Sequence, residues 1–229
     1  MRHVRGRRGP FPERPYYTEE EIERTCTAAL RDADLYPGVP APIRIDRFVE
    51  KRFGVTISYD DLGPGVLGFS RFGKSGVQQV VVSRTLDEEG TVVSERRVRS
   101  TLAHEAGHGL LHAHLFFLTG QSGLFPEGQA TQPRVLCRDE RASASQSHSG
   151  DWWEWQANRA IGALLLPVGL TRRVLEEFTV PDGGLGIPVL PDTEREACVQ
   201  RLAEVFDVNP VVARYRLTEL ARPREQPTL

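Results

Sequence analysis

An α+β fold follows from three features of the 229-residue sequence. Three short strand-like stretches separated by turns occupy residues 54–84, the hydrophobic period becomes helical from Ser94 onward, and two helix patterns close the chain. No long helix separates the strand stretches, so the expected sheet is mainly antiparallel, with about three strands. The organisation expected is a flexible basic tail over 1–17, a core over 18–169, and a C-terminal helical subdomain over 170–229.

Taken in order, residues 1–16 are rich in Arg, Pro and Gly and read as a tail. Thr18 and three glutamates open a helix to about Asp34, with the acids at its positive end. YPGVPAP breaks the chain before a second helix, about Ile43 to Phe53. GVTISYD, VLGFSRFG and GVQQVVVSR are the strands, and LGPG and GKSG the turns. From Ser94 to about Phe117 a stripe of Val98, Leu102, Ala106 and Leu110 marks a helix. Residues 118–150 form a long irregular loop, of the length that is usually functional or disordered. WWEWQANRAIGALLL is a further helix ending at Pro167, and Pro181–Pro191 is a linker. The last helices cover about Thr193–Phe206 and Pro210–Leu220, where Asn209 before Pro210 forms a start signal.

Composition excludes some classes of function. Charged residues make up 26 % and no apolar run is long enough for a spanning helix, so no membrane role is expected. The net charge of −2 disfavours a surface built wholly for nucleic acid. Cys26, Cys137 and Cys198 include no CxxC pair, and the basic start is followed by no apolar segment, so a reduced, cytoplasmic chain is expected.

The chemistry is concentrated in TLAHEAGHGLLH. On a helix His104 and His108 lie about 40° apart and one turn along, so both imidazoles can meet one metal ion. Glu105 stands on the adjacent side, where a general base takes a proton from water. A catalytic zinc needs a third ligand. His114 has the spacing of HExxHxxGxxH, but Leu111 replaces the glycine that turns the chain. His112 is two turns from His104 and reads as a packed or hydrogen-bonded histidine. Glu154 in DWWEWQAN sits on a second helix, on a face shared with Ala157, Asn158, Ile161 and Leu165, and would complete a site of two histidines and a glutamate. The same Glu154, three residues after Asp151, also fits a capping box, and spacing alone leaves the two roles even. His148 is a candidate donor to an oxyanion, and Asn158 and His112 are candidates for groups supporting the ligands.

RRVRSTLAHEAGHGLLH followed by EWQANRAIGALLLP resembles the ImmA/IrrE family of metallo-endopeptidases. VLCRDE around Cys137 and the closing LAEVFDVNPVVARYRLTEL are similar to it as well, so the resemblance runs from about Ile43 to Leu220. It implies a small gluzincin-like peptidase core with one Zn2+ per chain, metal ligands His104, His108 and Glu154, and Glu105 as the catalytic glutamate. Ser100 stands where the family has an aromatic residue, Ala160 where it often has phenylalanine, and Leu166 where it has methionine. The implied activity is cleavage of a protein partner, a helix-turn-helix transcriptional repressor, in bacterial stress response or mobile-element and phage-related regulation. The substrate is expected to lie extended along an exposed edge of VLGFSRFG or GVQQVVVSR.

Two other functions compete. The last two helices have helix-turn-helix lengths, and Arg214, Arg216, Arg222 and Arg224 could meet DNA phosphates, although Glu196, Glu204, Asp207 and Glu219 dilute that charge. A non-proteolytic zinc-containing binding protein is the third reading; it leaves Glu105 without a purpose.

Overall fold

The computed structural model describes residues 2–5, 13–73, 75–115, 134–138, 152–181 and 188–221. It is a mixed α+β fold in which a four-stranded sheet packs against helices. No helix among the described residues is long and apolar enough to cross a membrane.

Part of the expected tail is paired: β1 (Arg2–Arg5) runs antiparallel to β2 (Glu13–Tyr16), with Arg2 opposite Tyr16. Helix α1 (Glu19–Asp32) begins at Thr18, whose side chain and that of Glu21 close a reciprocal capping box. Ile22, Cys26, Ala29 and Leu30, at spacings of four, three and one, form its buried face. Helix α2 (Ile45–Phe53) ends at Gly54, whose φ of 68° is the left-handed cap that glycine adopts without a Cβ penalty.

β3 (Ile57–Asp60), β4 (Val66–Gly73) and β5 (Gly76–Ser83) follow as expected. Their pairing differs from a wholly antiparallel sheet: the order is β3-β5-β4-β6, and β3 is parallel to β5. Parallel neighbours ordinarily need a long crossover. Here β4 itself is the crossover, because the chain steps past the β5 position, runs along β4 and returns through the hairpin. The fourth strand, β6 (Arg134–Arg138), pairs antiparallel with β4 and lies inside the stretch expected to be an irregular loop.

Helix α3 (Arg84–Glu88) was not anticipated by the hydrophobic pattern. Helix α4 (Val92–Leu111) starts earlier than Ser94 because Thr91 and Ser94 cap it reciprocally. It stops before Phe117, as His112 takes φ −122° and ψ −12°. Helix α5 (Trp152–Leu165) packs against α4 and ends two residues before Pro167, the N-cap of the short α6 (Val168–Leu175). The expected linker carries a two-residue pairing of β7 (Val180–Pro181) with β8 (Pro188–Val189). Helices α7 (Arg195–Phe206) and α8 (Pro210–Leu220) close the described chain.

One hydrophobic core runs through all of this: Leu102 and Ala106 of α4, Leu164 of α5, Phe72 of β4, and Leu202, Phe206 and Leu217 of the last helices belong to a single cluster. Polar ties reinforce it. Arg96 and Arg99 reach Asp207 at the α7–α8 turn, where Asp207 itself takes the left-handed conformation that a glycine would usually supply. Buried Arg216 donates to the Leu166 carbonyl and pairs with Glu23 and Glu219. Removing a guanidinium at such a position strands two carboxylates in low dielectric. Arg216→Met is expected to lose about 3 kcal/mol of stability in urea unfolding; a loss under about 0.5 kcal/mol would make this network incidental.

Candidate metal centre

Two helices supply the site. Helix α4 carries His104, Glu105 and His108, all buried, and α5 carries Glu154 in its first turn. The helices come this close because Gly107 faces Ala157 and Ala160. A Cβ at position 107 would stand 2.8 Å from the Ala160 methyl and 3.2 Å from the Ala157 backbone. Small residues at the crossing therefore set the distance from Glu154 to the histidines.

The three ligand-type side chains converge. His104 Nε2 and His108 Nε2 are 3.0 Å apart, His104 Nε2 is 3.1 Å from Glu154 Oε2, and His108 Nε2 is 3.5 Å from Glu154 Oε1. Tetrahedral donors about 2.0–2.1 Å from a small cation lie roughly 3.3–3.4 Å from each other, so these separations suit one ion. The group can hold a metal. Among the described residues Glu154 stands in this cluster with the two histidines, and His112 and His114 do not. Asp151, the other half of the alternative capping box, lies outside the described residues.

Supporting groups fix the rings. His104 Nδ1 donates to Asn158 Oδ1 at 3.0 Å, which turns its Nε2 lone pair toward the cluster. His108 Nδ1 meets His112 Nδ1 at 3.0 Å, and His112 Nε2 meets Gln156 Oε1 at 2.9 Å. Trp152 packs edge-on against the His112 ring. His148 lies outside the described residues.

Electrostatics follow the geometry. Burial pulls His108 down to about 4 and His112 to about 3, holding both neutral near pH 7. For His104 burial acts in the same direction, but Glu154, Glu105 and Asn158 outweigh it and raise the group. Burial opposes ionisation of Glu154, yet its contacts with both histidines hold its carboxyl well below the usual range. Burial pushes Glu105 up to about 7; His104 and the neighbouring Ser70 hydroxyl only partly oppose this. Both Glu105 oxygens and the Ser70 hydroxyl are buried, and none closes a full hydrogen bond among the described residues. A carboxylate so placed fits a cation and its water as the missing partners.

Two residues escaped the reading of the sequence. Gln156 gives no periodic signal, being two positions from Glu154 and therefore on another side of α5. Ser70 is one of many serines in strands. The histidine ladder was the available clue, because spacings of four place His104, His108 and His112 in file along one face.

Both strands expected to offer a substrate edge are interior. β5 lies between β3 and β4, and β4 between β5 and β6, so neither has a free side; the sheet's edges are β3 and β6. β4 is interior because 134–138, which carries no strong strand signal of its own, pairs with it, and β5 is interior because β3 joins its other side. The basic residues proposed to meet DNA are partly engaged: Arg216 is buried in its ion pairs and Arg214 pairs with Glu196 at 2.6 Å, while Arg222 and Arg224 lie outside the described residues.

Because Gly107 sets the helix spacing, Gly107→Val is expected to weaken metal binding by at least tenfold without touching a ligand. Isothermal titration with zinc, alongside circular dichroism to confirm folding, measures this. Unchanged affinity in a folded variant would show that the crossing tolerates a wider gap.

Comparison with models of known families finds no match, and comparison with characterised proteins finds none either.

Proposed function

We propose that this chain is a zinc-dependent endopeptidase of gluzincin-like architecture that cleaves a specific protein partner. The observation carrying the proposal is the buried Glu105 carboxyl, which closes no full hydrogen bond among the described residues, beside the convergence of His104, His108 and Glu154. A metal serving only to hold the fold has no need of a buried acid next to it, and keeping one there without a role costs stability.

Two imidazoles, each neutral once it ligates, and one carboxylate form a donor set that zinc accepts readily. Zinc held there supplies Lewis acidity toward a water and the scissile carbonyl. Glu105 then takes the proton of the attacking water and delivers it to the leaving amine nitrogen. Its burial raises proton affinity, while a cation alongside restores the ionised form, so the carboxylate is a base before attack and an acid after it. Asn158 keeps His104 oriented, and the Ser70 hydroxyl lies beside Glu105.

An extended substrate is matched by a free strand edge near this acid. β6 is the edge beyond β4, the strand that carries Ser70, and its outer side is open to strand addition among the described residues. The resemblance to the ImmA/IrrE family in RRVRSTLAHEAGHGLLH and EWQANRAIGALLLP supports assignment to that family and a transcriptional repressor as the partner, within bacterial stress or mobile-element control. Location in the cytoplasm accords with that role. The DNA-binding alternative is weaker because Arg216, central to the basic set, is committed to Glu23 and Glu219.

Glu105→Gln is expected to bind zinc as the unaltered chain does and to lose at least 100-fold in hydrolysis. The readout is cleavage of candidate helix-turn-helix repressors incubated with the zinc-loaded chain, followed by mass spectrometry of the fragments. Cleavage that survives in the variant would remove Glu105 as the base.

A further inference from the structure

The polar groups behind His108 form a line that ends outside the two site helices. Gln156 is 2 % exposed, and its Nε2 donates to the Pro15 carbonyl in β2 at 3.0 Å. Its Oε1 faces His112 Nε2 at 2.9 Å, and His112 Nδ1 faces His108 Nδ1 at 3.0 Å. Resting on the metal-site reading above, we propose that Gln156, anchored by the Pro15 carbonyl, is a positioning residue that fixes the tautomer of His112 and, through it, that of His108.

The direction of each bond is forced from the far end. A main-chain carbonyl only accepts, so the Gln156 amide nitrogen must face Pro15 and its oxygen must face His112. His112 Nε2 therefore carries the proton. Among the described residues neither of its nitrogens meets a carboxylate, and both face neutral groups, so its Nδ1 holds a lone pair. His108 Nδ1 must donate to that lone pair. Its own lone pair is then on Nε2, the atom that faces His104 and Glu154. From Pro15 to His108 Nδ1, reversing any member sets two donors or two acceptors against each other in a buried site, whereas the lone pair on His108 Nε2 faces Glu154 and His104 and is satisfied by a cation or a shared proton.

A metal ligand delivered in the correct tautomer needs no proton rearrangement on binding. The N-terminal strand pair thus contributes to metal affinity although it supplies no ligand. Asn158 does the same for His104 in one step, within α5. The His108 arm takes three steps and crosses to a segment far away in sequence. Supporting groups of this kind typically change metal affinity by about 10–100-fold.

Two measurements on the full chain test this. Long-range nitrogen–proton NMR of the histidines in metal-free protein should show His112 protonated at Nε2 and His108 at Nδ1. Zinc affinity, by competition with a chelating dye, should weaken about 10–100-fold in Gln156→Leu. His112→Leu should weaken it too, and adding Gln156→Leu to that variant should cost nothing more, since the glutamine acts only through the ring. A His112 ring protonated at Nδ1, full affinity in folded Gln156→Leu, or additive losses in the double variant would each overturn the proposal. Failure of the unaltered chain to bind zinc would instead refute the metal reading, while the tautomers of the metal-free protein would still decide whether the relay exists.

Discussion

Glu154 reaches His104 and His108 because α4 and α5 touch at residues without bulk: Gly107 on one side, Ala157 and Ala160 on the other. Larger side chains would hold helix axes about 8–10 Å apart or more, and that distance decides whether a glutamate can share an ion with two histidines. The rest of the core serves this contact. Leu102, Ala106 and Leu164 bury the crossing, β4 supports the other side of α4, and the C-terminal helices are tied to α4 through Arg96, Arg99 and Asp207. Packing and chemistry are therefore one problem here: the small residues that permit close approach are those between and opposite the ligands.

That closeness has an electrostatic cost. Two carboxyls and three imidazoles share a buried volume in which charged groups lose hydration. The protein balances it unevenly. Glu154 is held ionised by both histidines, whereas Glu105 meets only an unclosed serine hydroxyl and rises toward neutrality. Carboxyls pushed in opposite directions within one site are the arrangement that separates a ligand from a general base. A cation would satisfy the first and lower the second, so the energetic imperfection of the pocket supports the hydrolytic role proposed for Glu105.

The metal-binding group could be read in good part from residue spacing. HEAGH on a helical period places His104 and His108 one turn apart, the pair that the structure brings together with Glu154, and sets Glu105, the proposed base, beside them. Glu154 was harder: spacing within α5 fitted a cap as well as a ligand, and its nearness to the two histidines depends on the crossing at Gly107. The sheet was misjudged for a definite reason. The absence of a crossover helix argues for antiparallel pairing only when neighbouring strands are consecutive, and β4 returns the chain so that β3 and β5 run parallel. β6 and the β1–β2 pair were invisible because strand pairing depends on partners remote in sequence, and short polar stretches such as ERPY carry little alternation. Gln156 escaped notice for the same reason: a buried amide acquires meaning only from what it bonds, in this case a carbonyl at Pro15.

Metal content is the measurement that bears most directly on the central claim. The purified chain, dialysed against zinc and then against metal-free buffer, is compared with Glu154→Ala by atomic emission spectrometry. The arrangement of His104, His108 and Glu154 predicts about one zinc per unaltered chain and retention that falls by at least tenfold in the variant. Equal retention in both would contradict the claim, since it would mean that the glutamate brought in by α5 is not a ligand; no bound metal in either would make the convergence of these side chains a feature of packing alone.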